Sequence, residues 1–262
     1  MTAETAETAV ATETAFRIED LTVRYGGVTA VSHVSFAIPP GRIAGLIGPN
    51  GAGKTSLIDA VSGFTPAAGG RLELGGRDVS GCGPSERARL GLARTFQSLE
   101  LFDDLTVHEN LTLGCHRPGR WSTIADVVRR DRARYPQVDE VLDLLGLAEV
   151  AAVRPAALPN GRRHLVALAR AVVSAPQVLL LDEPAAGLDP GETAVLGDVL
   201  RTLRDQGMGV LLVEHDMALV LDVCDVVHVL DQGVLIASGA PTAIRRDPAV
   251  IEAYLGAGAS TP

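Results

Sequence analysis

Gly48-Pro49-Asn50-Gly51-Ala52-Gly53-Lys54-Thr55 decides how this chain is read. The apolar run Ile43 to Ile47 precedes it and reads as a buried strand. Ser56-Leu57-Ile58-Asp59-Ala60-Val61 follows and reads as the first turns of a helix. Strand, glycine-rich loop, Lys, Thr and helix, in that order, spell a phosphate-binding loop. Glycines let successive backbone N–H groups curl around an anion with no Cβ in the way. A helix starting near Lys54 adds unpaired N–H groups and a partial positive charge of about half a unit. Lys54 is placed to bridge terminal phosphates and Thr55 to offer a hydroxyl to Mg²⁺. The same stretch also fits a turn that merely joins a strand to a helix, but the full spacing with the Lys-Thr pair favours a nucleotide.

The rest of the composition narrows the class. The chain has 262 residues, 47% of them hydrophobic, enough for one large α/β domain or a core with a small subdomain. Its 32 acidic residues outnumber 23 basic ones, a net charge of −9. That argues against a nucleic-acid partner, which needs a basic face. Cys82, Cys115 and Cys224 are odd in number and far apart, so they suggest neither a disulfide framework nor a metal site. No apolar run approaches the roughly 20 residues needed to span a bilayer, and the N-terminus lacks the pattern of a signal peptide.

Outward from the loop, the pattern alternates strand and helix. Residues 1–15 repeat Thr-Ala-Glu and read as a disordered tail. Phe16 to Tyr25 alternates like a half-buried strand, Gly26-Gly27 turns the chain, and Val31 to Ile38 reads as a second strand, giving an antiparallel piece beside the main sheet. Tyr25 suits either a stack on a purine ring or cross-strand packing. Leu92 to Phe96 reads as a strand with Gln97 beyond its end. Thr106-Val107-His108-Glu109 spells a capping box. Arg117, Arg120, Arg129, Arg130, Arg132 and Arg134 cluster around Trp121 and read as a solvated helix face, with contact to a membrane surface or partner as the other reading. A helix follows from Arg162 to about Ser174. Val178 to Leu181 is a continuous apolar strand suited to burial on both faces of a parallel sheet. Helix Glu192–Arg204, strand Val210–Val213, helix Asp216–Asp222, strand Val226–Leu230 and a last helix from Asp247-Pro248 to near Leu255 complete a doubly wound α/β pattern.

Asp182 and Glu183 end the buried strand Val178–Leu181. In such sheets ligands bind at the carboxyl edge, where the phosphate loop also lies. One carboxylate there suits Mg²⁺ through its water shell, and its neighbour suits orienting and deprotonating a water. His215 follows another strand and is expected at the same edge, within reach of a terminal phosphate. Gln97 is expected to touch Mg²⁺ or the water.

In these motifs the chain resembles the nucleotide-binding subunit of an ABC transporter, over residues 16–256. Gly48 to Thr55 with Ser56 resembles its Walker A loop and Val178 to Glu183 its Walker B strand with a catalytic glutamate. Gln97 resembles the Q-loop glutamine, Gly187-Leu188-Asp189 the D-loop, His215 the switch histidine and Tyr25 the aromatic residue that stacks on adenine. More narrowly, Arg94-Thr95-Phe96-Gln97, Leu105 to Leu111, Asp182 to Leu188, Glu214-His215-Asp216-Met217 and Ala253-Tyr254-Leu255-Gly256 resemble the ATPases of branched-chain amino acid importers. The resemblance implies a P-loop fold with a parallel core sheet, an N-terminal antiparallel β piece and a helical subdomain at about 98–175, followed by a short tail at 257–262. It implies ATP and Mg²⁺ as ligands, with Thr55, Gln97 and Asp182 at the metal and Glu183, His215 and Gln97 in catalysis. It also implies a second ABC ATPase subunit, transmembrane permeases at the cytoplasmic face of the membrane, and an extracytoplasmic solute-binding protein. Importers of urea, amides or other small solutes share these features.

One motif departs from the family pattern. The family signature is Leu-Ser-Gly-Gly-Gln, and here the chain reads Leu158-Pro159-Asn160-Gly161-Arg162. In the family this segment faces the partner subunit's ATP. Pro159 has neither hydroxyl nor N–H, so the Ser contact to phosphate is impossible. Gly161 and the helix behind it are left to meet the phosphate, with Arg162 offering a positive charge. Weak hydrolysis is therefore an alternative expectation, and a partner with an intact signature would leave one composite site ordinary and one altered.

Overall fold

The computed structural model describes residues 14–115 and 135–258. The arginine cluster around Trp121 lies outside the described residues.

Among the described residues two sheets flank the phosphate loop. The smaller, four-stranded and antiparallel, has the order β2-β1-β4-β5, from β1 (Phe16–Tyr25), β2 (Val28–Ile38), β4 (Gly69–Leu74) and β5 (Arg77–Asp78). The larger has six strands in the order β10-β9-β3-β8-β7-β6. Its members are β3 (Ile43–Ile47), β6 (Leu92–Arg94), β7 (Val178–Asp182), β8 (Gly209–Val213), β9 (Val226–Asp231) and β10 (Val234–Gly239). All neighbours in it are parallel except β9 and β10. The helices are α1 (Lys54–Ser62), α2 (Pro84–Arg89), α3 (Val107–Cys115), α4 (Pro136–Leu144), α5 (Asn160–Val172), α6 (Pro190–Asp205), α7 (Met217–Val223), α8 (Pro241–Ile244) and α9 (Pro248–Gly258).

Strand alternation builds two cores, one on each face of the larger sheet. Ile43, Ile47, Leu179, Leu181, Val210, Leu212, Val227 and Val229 point into one, against α3 to α7. Ala44, Leu46, Val178, Leu180, Leu211 and Val213 point into the other, against α1 and the antiparallel sheet. Because successive side chains face opposite ways, a strand buried on both faces must be apolar throughout. β3 and β8 are buried at every position for this reason.

Several boundaries differ from the sequence reading. Val28 to Ala30 already pair, because Tyr25 opposite Val28 closes a tight hairpin over Gly26-Gly27. β6 stops at Arg94 rather than Phe96. Among the described residues it is an edge strand paired only with β7, and after Thr95 N–H donates to Leu180 O (2.9 Å) the chain leaves the ladder. α5 begins two residues early, at Asn160, and ends at Val172. α9 runs on through Gly258, into the stretch read as a tail. At the other end Ala15 belongs to the fold: it is buried, its N–H donates to Ile38 O and its carbonyl accepts from Gly75 N. β10 was not foreseen, although Gln232-Gly233 makes the turn that returns it antiparallel to β9. The capping box at Thr106 is present in both directions, Thr106 N to Glu109 Oε2 (2.8 Å) and Glu109 N to Thr106 Oγ1 (3.2 Å).

Candidate active site

The loop Gly48 to Gly53 joins β3 to α1 with positive φ at Gly48, Gly51 and Gly53. Two of these glycines are required by close backbone approach. A Cβ on Gly48 would sit 2.0 Å from Leu230 O, and one on Gly53 2.4 Å from Ala30 O. Gly53 forms the left-handed N-cap of α1, which has no side-chain cap and no acidic residue in its first turn. Its first N–H groups are therefore left to an anion. Lys54 is buried, and its Nζ donates to Gly48 O (2.7 Å) and Pro49 O (3.1 Å). Burial pulls its pKa below the usual lysine range, and the carboxylates of Glu183 and Asp182 oppose that shift. Asn50, Gly51 and Thr55 are exposed, while Ala52 is buried and Ser56 half-buried. The Tyr254 hydroxyl on α9 takes a backbone hydrogen bond from Gly48.

The acidic residues stand at the ends of neighbouring strands. Asp182 ends β7 opposite Val213 of β8. Burial raises its pKa, and the hydrogen bond and charge of Arg94 oppose that rise. Glu183 follows with a left-handed φ of 49°, an unusual conformation for a non-glycine residue that costs of order 1 kcal/mol. Its Oε2 accepts from Gln97 Nε2 at 3.1 Å and lies 3.8 Å from His215 Nδ1. Gln97, Glu183 and His215 thus converge although they come from three separate strand ends. His215 is largely exposed and Glu183 about a quarter exposed, so the group opens to solvent.

Tyr25 is 48% exposed at the end of β1, with its hydroxyl 3.4 Å from Thr65 Oγ1. The Leu158–Arg162 segment does not join this cluster. Pro159 is the N-cap of α5 and supplies no side-chain cap. Gly161 N–H donates to Glu192 Oε1 (2.9 Å), and Asn160 Nδ2 donates to Gly187 O (3.0 Å). Asp189 caps α6, accepting from Glu192 N (2.8 Å) while its own N–H donates to Glu192 Oε2 (3.2 Å). Leu158 and Arg162 are half-buried and Pro159 is exposed.

Sequence reasoning overlooked four supporting residues. Glu214, fully buried, accepts from Ala185 N (2.9 Å), His215 N (3.0 Å) and Asp216 N (3.3 Å), clamping the turn after Glu183 to the strand end before His215. A charge ending an apolar strand was the available signal, since a buried carboxylate demands donors. Arg94 and Glu192 bridge elements far apart in sequence, and nothing local marks that. His164 Nδ1 donates to Pro184 O (2.9 Å), tying α5 to the same turn.

The oxygen donors available, Thr55 hydroxyl, Gln97 amide and Asp182 carboxylate, are hard ligands of the kind Mg²⁺ takes. The open face of Gly51, where an added Cβ would meet nothing within 4 Å, leaves room for a phosphate at the loop.

A phosphate loop at the carboxyl edge of a mainly parallel sheet, faced by an antiparallel sheet, defines an α/β phosphate-loop nucleoside triphosphatase. Residues 31–186 match the family model of the ABC transporter, and residues 234–260 match that of the branched-chain amino acid ATP-binding cassette transporter. The chain is 39% identical to the high-affinity branched-chain amino acid transport ATP-binding protein LivG of Escherichia coli, over 91% of this chain and 96% of LivG. It is 37% identical to BraF of Pseudomonas aeruginosa, a protein of the same description, over 91% and 96%. The crystal structure of the ADP conformation of MJ1267, an ATP-binding cassette of an ABC transporter, superposes with a TM-score of 0.84 at 29% identity, over 93% of this chain and 99% of that one. The chain belongs to the ABC transporter family and is its ATP-hydrolysing component.

Proposed function

We propose that this chain is the ATP-binding and ATP-hydrolysing subunit of an importer of branched-chain or related amino acids. The observation that supports it best is the convergence of Gln97, Glu183 and His215 beside the phosphate loop, in a chain similar to LivG over nearly its whole length. In this reading the loop Gly48 to Gly53, with Thr55 and Ser56, holds the phosphates and Tyr25 stacks on the adenine. Lys54 neutralises charge at the terminal phosphates. Glu183 orients a water and takes its proton as the oxygen attacks the γ-phosphorus. The bond to the β–γ bridging oxygen breaks, and ADP leaves with that oxygen. Gln97 holds the Glu183 carboxylate, and His215 donates to the γ-phosphate. Thr55, Gln97 and Asp182 would hold Mg²⁺, which when bound would supply charge neutralisation on the phosphate oxygens.

The domain spans 16–256 with a helical subdomain at about 98–175, where α3, α4 and α5 pack together. A groove of about 650 Å³ lies between α3, α5 and the Gln97 segment, lined by Phe96, Phe102, Leu113 and Arg170 among others. We assign it to a permease, since an occupant would bear on Phe96, next to Gln97. Among the described residues no helix is long and apolar enough to cross a membrane. On this reading the chain sits at the cytoplasmic face through its permeases, paired with a second ABC ATPase, with a solute-binding protein on the far side.

A second reading, a subunit that hydrolyses weakly, rests on Pro159 and on the Gly161 N–H being engaged by Glu192. Both are tested by copurifying the chain with its membrane partners and measuring ATPase activity in liposomes. Stimulation by leucine, isoleucine or valine supports the first reading. Stimulation only by urea or amides replaces its substrate, and solute-independent trace activity favours the second.

A further inference from the structure

Arg94 is buried at the end of β6, its side chain only 8% exposed. Its NH1 donates to Asp59 Oδ1 (2.6 Å) and Ser62 Oγ (2.8 Å), both on α1. Its NH2 donates to Asp182 Oδ2 (3.0 Å) at the end of β7. The guanidinium carbon lies 4.9 Å from the Phe96 ring centre and 5.8 Å from that of Phe64, and the two rings meet edge to face at 5.5 Å. Gln97, three residues on, is bonded to Glu183. One planar cation therefore joins the helix that opens from the phosphate loop, the strand that ends in Asp182, and the segment that delivers Gln97.

We propose that Arg94 is a positioning residue for the ATPase reaction: it fixes the rotation of the Asp182 carboxylate and the path of residues 95–97 relative to α1. A carboxylate with one oxygen held by a rigid donor has one rotational setting. The same Asp182 released among Asp59 and Glu183 has several, and mutual repulsion selects among them. The geometry needs an arginine. Its fork serves two carboxylates at once, and its flat faces stack against aromatic rings, whereas a lysine ammonium is a compact point charge on a flexible stem. This inference rests on the ATPase reading and adds a residue that acts through Asp182 and residues 95–97.

The test uses the full-length chain copurified with its membrane partners, in wild-type, Lys54→Ala, Arg94→Met, Arg94→Lys and Asp59→Asn/Arg94→Met forms. ATP affinity in EDTA, melting temperature and kcat per bound ATP are measured for each. Arg94→Met is expected to lower kcat at least about tenfold with ATP affinity in EDTA changed less than about threefold, and Arg94→Lys to recover part of the loss. Neutralising Asp59 in the double variant is expected to regain melting temperature without regaining kcat. Wild-type kcat in Arg94→Met, or kcat regained together with melting temperature in the double variant, overturns the proposal, since either makes Arg94 a packing residue. If Arg94→Met fails to fold, Arg94→Lys decides on the same split, with unchanged kcat counting against the proposal. A wild-type complex that neither binds nor hydrolyses ATP, or one indifferent to Lys54→Ala, sinks the ATPase reading and Arg94's role with it. A working wild type with an indifferent Arg94→Met sinks Arg94 alone.

Discussion

Helices α1 and α5 begin alike and end up differently employed. Both lack a side-chain cap, and neither has an acidic residue in its first turn. α3, α6 and α7 are instead capped by Thr106, Asp189 and Asp216. An uncapped helix start leaves donors that water or an anion can meet. At α1 three positive-φ glycines curve the preceding loop, and Lys54 adds a cation. At α5 a proline precedes the helix and a neighbouring carboxylate, Glu192, already holds the Gly161 N–H. An open helix terminus is thus a ligand site only as far as the surrounding chain leaves its donors free. On the proposed reading α1 serves an external anion, while α5 borrows an internal one that also closes the capping box of α6.

The contrast breaks first at Lys54. Lys54→Ala is expected to weaken ATP binding or turnover at least about a hundredfold, read by equilibrium binding and phosphate release. No single change in the first turn of α5 should match it.

The α1 side also rests on β9, whose Leu230 carbonyl backs Gly48. His228, two residues earlier on β9, is buried against Phe36 at 4.3 Å with Nδ1 2.9 Å from Ser238 Oγ. Burial lowers its pKa from 6.5 to about 4. The unfolded chain then binds the extra proton first as pH falls, so stability is full above pH 6.5 and drops progressively towards pH 4, by up to about 3 kcal/mol. Denaturation of His228→Gln alongside wild type, from pH 7 to pH 4.5, should show the smaller acid loss in the variant.

Glu192 sharpens the comparison from the other side. Glu192→Ala removes the partner of Gly161 N–H and half of a capping box at once, and is expected to cost about 2 kcal/mol in urea unfolding. An unchanged midpoint would mean the α5 terminus does not need its borrowed anion. The smallest effect is expected from Pro159→Ser with Arg162→Gln, which restores a hydroxyl before α5. Phosphate-release assays of the assembled complex should show a gain of up to about tenfold in ATPase activity. No change would make the departure at Leu158–Arg162 neutral.

Much of this architecture could be read from the chain. The glycine spacing before Lys54, the all-apolar strand before Asp182 and the capping box at Thr106 are local patterns with local causes, and they gave the α/β class and the strand ends that gather Gln97, Glu183 and His215. What stayed hidden depends on distance in sequence. Arg94 meets Asp59 and Asp182, and Gly161 meets Glu192, only after the sheet has assembled in the order β3-β8-β7-β6. β10 was missed because its edge position buries it only partly, leaving a weak apolar alternation. The end of β6 was misjudged because Thr95 still bonds the ladder while Phe96 does not continue it.

The most direct measurement is ATP occupancy against phosphate release in the assembled complex carrying Glu183→Gln. With Glu183 as the base, the variant retains ATP at wild-type occupancy while phosphate release falls at least about a hundredfold. Phosphate release at the wild-type rate would contradict the assignment of Glu183, and with it the reading of the strand edge as the hydrolytic site.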